Sequence, residues 1–216
     1  MKKAIVLLSG GLDSTVALAI AKESGRECIA ISFNYGQRHR IELEYSKQVA
    51  AFYSIPQRIV TIDPFLFMSS SLSMEGNVPT NRTLEEIASG GIPSTYVPAR
   101  NTLFLAYATA FAEIYQAQEI YVGMNADDQY GYPDCRPAYI AAFQGLLDVA
   151  TKQSTTGSPP LLVTPLVKMT KKEIVAEGIR LKAPLSITWS CYAPTKTEEV
   201  CEVCDACTLR TAAFSS

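Results

Sequence analysis

The length, composition and charge of the chain favour one globular domain with a small appendage. It has 216 residues, of which 48% are hydrophobic, enough to bury a sizeable core and to exclude wholesale disorder. Nineteen basic residues against 21 acidic residues give a formal net charge of −2, which disfavours a protein that coats nucleic acid.

The first residues resemble a signal peptide only superficially. Two lysines precede an apolar run at residues 4–8, but this run is shorter than the apolar core of a signal peptide, and Asp13 follows soon after. No stretch of the chain approaches the 18 apolar residues of a membrane span. We therefore expect a cytoplasmic protein with no membrane partner.

Strand and helix patterns alternate along most of the chain. Short apolar runs that end in turn residues predict strands at 3–9, 27–33, 58–63, 119–125 and 161–166. Apolar residues at helical spacing predict helices at 13–24, 41–54, 100–115, 136–151 and 170–181. The alternation predicts an α/β fold, an open parallel sheet with helices on both faces. We place this domain at residues 1–185 and a C-terminal segment at residues 186–216.

Residues 64–98 interrupt the alternation. They hold four prolines and the runs SSS and SGG, and they contain one predicted helical turn near 83–88. Long loops in compact domains are usually functional or mobile. We expect this excursion to act as a lid over the functional site.

The stretch LLSGGLDST joins the first strand to the first helix. Its glycines let the backbone approach a ligand, and the N–H groups and dipole of the following helix favour an anion such as phosphate. We expect Asp13 to hold Mg²⁺ that bridges phosphates, because a carboxylate would repel a bare phosphate. An ordinary strand-to-helix turn is the alternative, and no Walker sequence follows. The ATP-binding residues we predict are Leu8, Ser9, Gly10, Gly11, Leu12, Asp13, Ser14 and Thr15.

The string SGGLDS resembles the pyrophosphate loop of the N-type ATP pyrophosphatases, which implies their adenine nucleotide alpha hydrolase-like fold. Four further stretches, at 33–44, 97–113, 122–143 and the cysteine tail, are similar to those of the 7-cyano-7-deazaguanine synthase family. The resemblance extends from residue 3 to about residue 214. The block at 122–137 and the four-cysteine tail are its specific parts.

This resemblance implies an ATP-dependent ligase of queuosine and archaeosine precursor synthesis. ATP adenylates the carboxylate of 7-carboxy-7-deazaguanine, and ammonia displaces AMP to leave an amide. A second ATP activates the amide oxygen, and elimination yields the nitrile 7-cyano-7-deazaguanine. Such a protein needs cations and N–H donors more than a nucleophile of its own.

Three residues are predicted to act in this chemistry. Asp13 lies in the loop, and Arg100 opens a helix, where a positive group would meet an anion. The resemblance implies a phosphate-contacting lysine at Lys171, although its neighbour Lys172 could take that role. We interpret His39, between Arg38 and Arg40, as structural or at the surface, with general base work as the alternative.

The stretch GYPDCRP carries our predictions for the substrate. A guanine-like edge presents adjacent N–H donors that one carboxylate accepts, and Asp134 is predicted to do so, with Arg136 at the substrate carboxylate. Tyr130 or Tyr132 could stack on the base, and Asp127 or Asp128 could bind Mg²⁺. A tight turn without a binding role is the alternative explanation for the same residues. The predicted substrate-binding set is Asn101, Asp127, Asp134 and Arg136.

Four of the six cysteines cluster near the C-terminus. Cys191, Cys201, Cys204 and Cys207 suit a tetrahedral, structural Zn²⁺ site, with disulfides or an iron–sulfur cluster as alternatives. Glu202 stands where the family often has glycine, which puts the loop geometry in question. Of the other two cysteines, Cys28 is predicted to be core, and Cys135 lies near the proposed site, where a thiolate is conceivable.

Two other functions share some of these features. A tRNA thiolation or lysidine enzyme uses the same loop, and a zinc-dependent module could bind nucleic acid. The negative net charge disfavours the first, and the few basic residues of the tail, Lys196 and Arg210, disfavour the second. We therefore expect small-molecule substrates, no nucleic-acid partner and, from the resemblance and the apolar helix at 100–115, a homodimer.

Overall fold

A five-stranded sheet organises the chain in the computed structural model, which describes residues 1–36, 41–72 and 77–215, with only the backbone at Tyr130. The predictions for Arg38, His39, Arg40 and the Tyr130 side chain lie outside these described residues. All strand pairs are parallel, as predicted, and the strand order is β3-β2-β1-β4-β5. The strands are β1 (Lys3–Leu7), β2 (Glu27–Asn34), β3 (Gln57–Thr61), β4 (Glu119–Tyr121) and β5 (Leu161–Val163).

Helices connect the strands at the predicted places. The described residues form α1 (Leu12–Glu23), α2 (Ile41–Phe52), α3 (Leu84–Ser89), α4 (Arg100–Tyr115), α5 (Asp128–Gly131), α6 (Pro137–Ala150), α7 (Lys152–Thr155), α8 (Lys171–Arg180) and α9 (Asp205–Phe214). Short 3₁₀ turns lie at Pro64–Phe67, Pro133–Cys135 and Leu185–Ile187. The capping box predicted for α8 is present, whereas α9 was not predicted. None of the described helices is long and apolar enough to cross a membrane.

Both faces of the sheet are covered, which explains why the central strand is apolar from Ala4 to Leu7. On β1, Ala4 and Val6 face a core cluster that includes Leu18 of α1 and Val49 of α2. The alternate residue Ile5 faces the other cluster, formed largely by α4 and α6. A strand segment buried on both faces needs apolar side chains at every position, and residues 4–7 of β1, all buried, supply them.

The strand order places a crevice at the carboxyl ends of β1 and β4. Chain connections diverge there, and open α/β sheets bind ligands at such points. Gly123, just after β4, lies so close to α1 that a Cβ atom would stand 2.9 Å from the Ser14 backbone nitrogen. A side chain at this position would therefore push the first helix away from the crevice.

The excursion after β3 runs beside the cysteine tail. Thr80 forms an isolated antiparallel bridge with Cys204, and the Asn81 N–H donates to the Val203 carbonyl at 2.8 Å. The tail also packs on the main sheet layer, because Ala213 of α9 lies in a core cluster with residues of α1 and α8. The boundary that we predicted at residue 185 stays a prediction.

Candidate active site

The loop after β1 adopts a conformation that requires glycine. Gly10 has φ +93°, and a Cβ atom there would lie 2.4 Å from the Glu42 carbonyl oxygen in α2. The Gly11 carbonyl accepts hydrogen bonds from Ser14 Oγ at 3.1 Å and Thr15 Oγ1 at 2.9 Å. The loop is thus folded tightly around its own backbone at the N-terminus of α1, where helix dipole and N–H groups favour an anion.

A cavity of about 480 Å³ opens above this loop. Of the eight predicted ATP-binding residues, six lie on its wall: Leu8, Ser9, Gly11, Leu12, Asp13 and Ser14. Gly10 and Thr15 do not; Gly10 instead packs against α2, and the wholly buried Thr15 supports the loop from below. Arg100, Asn101, Asp127 and Lys171 also line the cavity, which has the size of a small-molecule site.

A charged cluster joins the loop to α8. Lys171 Nζ donates to Asp13 Oδ2, and its backbone N–H donates to Asp127 Oδ2 at 3.0 Å. Lys172 is exposed, so the structure brings the first lysine of the pair, and not the second, to the cavity. Burial alone would lower the pKa of Lys171, but the negative charges of Asp13 and Asp128 outweigh it and raise that pKa. The ammonium group is therefore a permanent cation.

Asn125, which our sequence analysis missed, orders the acidic side of this cluster. Its buried amide nitrogen donates to Asp128 Oδ2 at 2.7 Å and to Asp13 Oδ2 at 3.4 Å. Its amide oxygen accepts from the backbone N–H groups of Asp127 and Asp128. Burial raises the pKa of Asp128 to about 6. The largely polar run at 125–129, which follows β4, was the sequence feature from which the role of Asn125 could have been predicted.

The second half of the predicted site is arranged differently from our expectation. Asp134 is buried, does not lie on the cavity wall, and accepts a hydrogen bond from the Asn101 backbone N–H at 3.0 Å. It acts as a cap for α4, because Ala99 at the N-cap (φ 52°) has no polar side chain. Arg136 is exposed and donates to the Gln129 carbonyl. The structure therefore does not bring Asp134 and Arg136 to the cavity.

Cys135 lies on the cavity wall but is a neutral thiol. Burial raises its pKa well above the ordinary value, and the negative charges of Asp128 and Asp134 add to this effect. A thiolate nucleophile requires the opposite environment. Its sulfur instead accepts a contact from the Asn101 amide nitrogen at 3.3 Å.

The four cysteines of the tail converge on one point. The sulfur atoms of Cys191, Cys201, Cys204 and Cys207 all lie within 4.8 Å of one another, so they could hold a metal ion. Three backbone N–H groups donate to sulfur atoms of the cluster, as thiolate ligands require. Glu202 adopts φ 61°, so it occupies the left-handed conformation that glycine would favour.

The comparisons with known proteins agree with this architecture. A model of the family described as queuosine biosynthesis protein QueC matches residues 3–216. The chain belongs to the QueC family. The resemblance that we inferred from the motifs is thereby confirmed.

Two QueC relatives span nearly the whole chain. The 7-cyano-7-deazaguanine synthase of Paramagnetospirillum magneticum is 48% identical over 216 residues, 100% of this chain and 95% of the relative. The enzyme of that name from Saccharophagus degradans is 48% identical over 214 residues, 99% of this chain and 93% of the relative.

A solved structure supports the fold alone. It is described as a predicted subunit of tRNA methyltransferase from Methanocaldococcus jannaschii, and it covers 82% of this chain and 73% of its own. The TM-score is 0.50, and the sequence identity is 18%. The parallel sheet with flanking helices is therefore shared with distant proteins.

Proposed function

We propose that this chain is an ATP-dependent ligase that converts 7-carboxy-7-deazaguanine and ammonia into 7-cyano-7-deazaguanine. The observation that carries the proposal is the glycine loop, which lies in one cavity with a buried lysine, in a chain 48% identical to named synthases over its full length. The names of the relatives supply the product, and the cavity supplies a chemical rationale for how it forms.

The reaction balances in two stages. The substrate carboxylate attacks the α-phosphorus of ATP, pyrophosphate leaves, and ammonia displaces AMP with loss of one proton to give the amide. The amide oxygen then attacks the α-phosphorus of a second ATP, pyrophosphate leaves, and loss of AMP and both N–H protons gives the nitrile. Each stage converts a poor leaving group into AMP, so positioning and charge stabilisation are the demands on the protein.

The loop and the lysine suit the departing pyrophosphate. The α1 N-terminus presents N–H groups to an anion, and Lys171, paired with Asp13, adds a permanent positive charge beside them. Removal of this cation would leave the pyrophosphate oxygens less stabilised as charge develops. We assign Asp13 and Lys171 to this step.

Asp13 also suits Mg²⁺. Its Oδ1 atom is buried and has no hydrogen-bond partner among the residues that the structure describes, so one oxygen ligand is available. Mg²⁺ is usually bound by one or two carboxylates together with substrate phosphates. The ion would neutralise the leaving pyrophosphate.

We assign Zn²⁺ to the cysteine cluster. Tetrahedral Zn–S bonds of about 2.3 Å place the sulfur atoms about 3.8 Å apart, and Cys201 Sγ and Cys207 Sγ are separated by 4.0 Å. Four cysteines leave no open position, so the metal would be structural.

We further propose a homodimer formed through the outer faces of α4 and α6. Ile114 and Val149 are 70% and 76% exposed, and the two helix ends adjoin, because the Lys152 N–H donates to Glu113 Oε1. Exposed apolar groups of this kind mark protein interfaces. Ile114→Glu should convert the dimer to a monomer in analytical ultracentrifugation, whereas Ile179→Glu on α8 should not. A monomeric unmodified protein would exclude this assembly.

The function is tested by measuring AMP and pyrophosphate release with ammonium and either 7-carboxy-7-deazaguanine or unmodified tRNA. We expect release that depends on the deazaguanine acid and is unaffected by tRNA. Release that requires tRNA would instead favour the tRNA-modifying class and exclude our proposal.

A further inference from the structure

Positively charged side chains on the cavity wall differ in what they contact. Arg82 binds the buried carboxylate of Asp205, with Nε 3.0 Å from Oδ1, and Lys171 binds Asp13. Both cations are therefore neutralised by the protein. Arg100 has no such carboxylate partner within 4.0 Å in the described part of the chain.

Arg210, the other described arginine on the wall, is engaged differently. Its two amino groups donate to Thr188 Oγ1, Ser190 Oγ and the Leu185 carbonyl, and its guanidinium lies 5.0 Å from the Phe214 ring centre. These bonds tie α9 to the segment that precedes the cysteines. Arg210 is thus an anchor, because three of its N–H donors are already engaged within the protein.

The surroundings of Arg100 are largely phenolic, and Asp128 on the same cavity wall acts on it electrostatically but forms no ion pair with it within 4.0 Å in the described residues. Tyr35 is hydrogen-bonded with its guanidinium, and Tyr132 and Tyr192 lie within electrostatic range; all four residues line the cavity. Arginine cannot be deprotonated in proteins, and a charge withdrawn from water is costly without an ionic partner. Neutral hydroxyls can orient a guanidinium but cannot neutralise it, so this environment suits an anionic ligand.

The shape of the site favours a carboxylate over a phosphate. The phosphate-binding loop and Lys171 belong to α1 and α8, whereas Arg100 opens α4, whose positive helix end adds to its own charge. A guanidinium forks onto a planar carboxylate through two parallel hydrogen bonds. Stacked aromatic rings on the same wall, Phe33 and Phe104 with centroids 3.9 Å apart, suit a flat bicyclic base.

We propose that Arg100 binds the carboxylate of the deazaguanine acid and that Tyr35, Tyr132 and Tyr192 hold its guanidinium in position. This inference rests on the proposed function and assigns to Arg100 the role that we predicted for Arg136. Arg100 contacts the substrate, whereas the three tyrosines are positioning residues. The protein thereby distinguishes the acid from uncharged deazaguanines at the first stage of the reaction.

The positioning tyrosines come from three separate segments. Tyr35 follows β2, and Tyr132 shares a hydrogen bond with Thr95 Oγ1 at 3.0 Å, at the end of the excursion. Tyr192 follows Cys191, and its N–H donates to Cys204 Sγ at 3.5 Å. The cysteine cluster thus positions Tyr192, which forms part of the wall of the proposed carboxylate site.

The test compares two substrates of the same enzyme, the charged acid and the uncharged amide intermediate, 7-carbamoyl-7-deazaguanine. Arg100→Met should lower kcat/KM for the acid about 10- to 100-fold, the loss typical of a charge-assisted hydrogen-bonded pair. The value for the amide should fall by a clearly smaller factor, because no carboxylate is present. Lys171→Met is the matched control and should lower both values equally, since both stages release pyrophosphate.

A second variant guards against misfolding of the first. Tyr35→Phe should shift the acid-to-amide ratio in the same direction by about 3- to 10-fold, because this variant loses the hydrogen bond between Tyr35 and Arg100. Equal losses on both substrates in these variants would overturn the proposal. Failure of the unmodified enzyme to form nitrile from either substrate would instead reject the proposed function, so the two failures are distinguishable.

Discussion

The backbone N–H of Trp189 donates to the carbonyl of Gly10 at 2.9 Å. This bond joins the segment that leads into the cysteine cluster to the glycine loop at the end of β1. The indole N–H of Trp189 also donates to the Cys191 carbonyl at 2.9 Å. One residue therefore links the cysteine cluster to the glycine loop, so loss of a metal held by the cysteines should disturb nucleotide binding at that loop.

Removal of the metal is expected to lower both the stability of the protein and its affinity for ATP. Cys204→Ser, or chelation of the unmodified protein, should lower Tm by about 10–20 °C, corresponding to about 5 kcal/mol in a domain of this size. ATP affinity, measured by isothermal titration calorimetry on the fraction that remains folded, should fall at least about tenfold. Unchanged ATP affinity in folded, metal-free protein would contradict the linkage through Trp189.

The stability of the folded protein should require glycine at position 10. Gly10→Ala places a Cβ atom against the Glu42 carbonyl and requires a left-handed backbone, so the unfolding free energy should fall by about 2 kcal/mol or more. Gly145→Ala is the control, because an alanine there has open space and lies within α6. It should stabilise the protein by about 0.5–1 kcal/mol. Urea unfolding of the two variants gives both values; equal effects would contradict the steric argument.

Asp128 should make stability depend on pH. Burial raises its pKa from 3.8 to about 6 in the folded state, so the folded protein binds more protons than the unfolded chain between these values. Its contribution to the unfolding free energy is favourable below about pH 4 and is lost as the pH rises through 6. Asp128→Asn should therefore be more stable than the unmodified protein at pH 7, by at most about 3 kcal/mol.

The variant and the unmodified protein must be compared at each pH, so that the contributions of all other groups cancel. The stability difference between the variant and the unmodified protein should shrink towards zero near pH 4. A difference that does not change between pH 4 and pH 7 would show that Asp128 is not protonated preferentially in the folded state.

Replacement of Glu202 tests the loop geometry of the cysteine cluster. Glu202→Gly should raise the unfolding free energy by about 1 kcal/mol, because a non-glycine residue at φ 61° is strained. Lys196→Gly, at an exposed position outside the left-handed region, should be neutral or destabilising. Destabilisation by Glu202→Gly would show that the Glu202 side chain has a favourable role that outweighs the strain.

The order of the elements could be predicted because strands and helices bury different periodic patterns. Helix α9 was missed because its sequence, DACTLRTAAF, combines cysteine, threonine and alanine without a clear apolar period. Its position follows from the cysteine cluster and from contacts of Ala213 with α1 and α8. Such contacts between distant segments leave no local signature.

The site was predictable where one segment creates it, and not where two segments meet. The glycine loop is a single continuous stretch, and most of its predicted residues lie on the cavity wall. Asp134 instead caps helix α4 by accepting from Asn101, 33 residues earlier in the chain, so its sequence neighbours do not reveal that role. Tyr192 likewise reaches the cavity only because the cysteines fold the tail back over the sheet.

The most direct test of the central claim is incubation of the purified protein with ATP, Mg²⁺, ¹⁵N-labelled ammonium and 7-carboxy-7-deazaguanine, followed by mass spectrometry. We predict 7-cyano-7-deazaguanine with the label in its nitrile group and about two AMP released per nitrile, as the two adenylation stages require. A product without the label, or no acid-dependent conversion of ATP to AMP and pyrophosphate, would contradict the account.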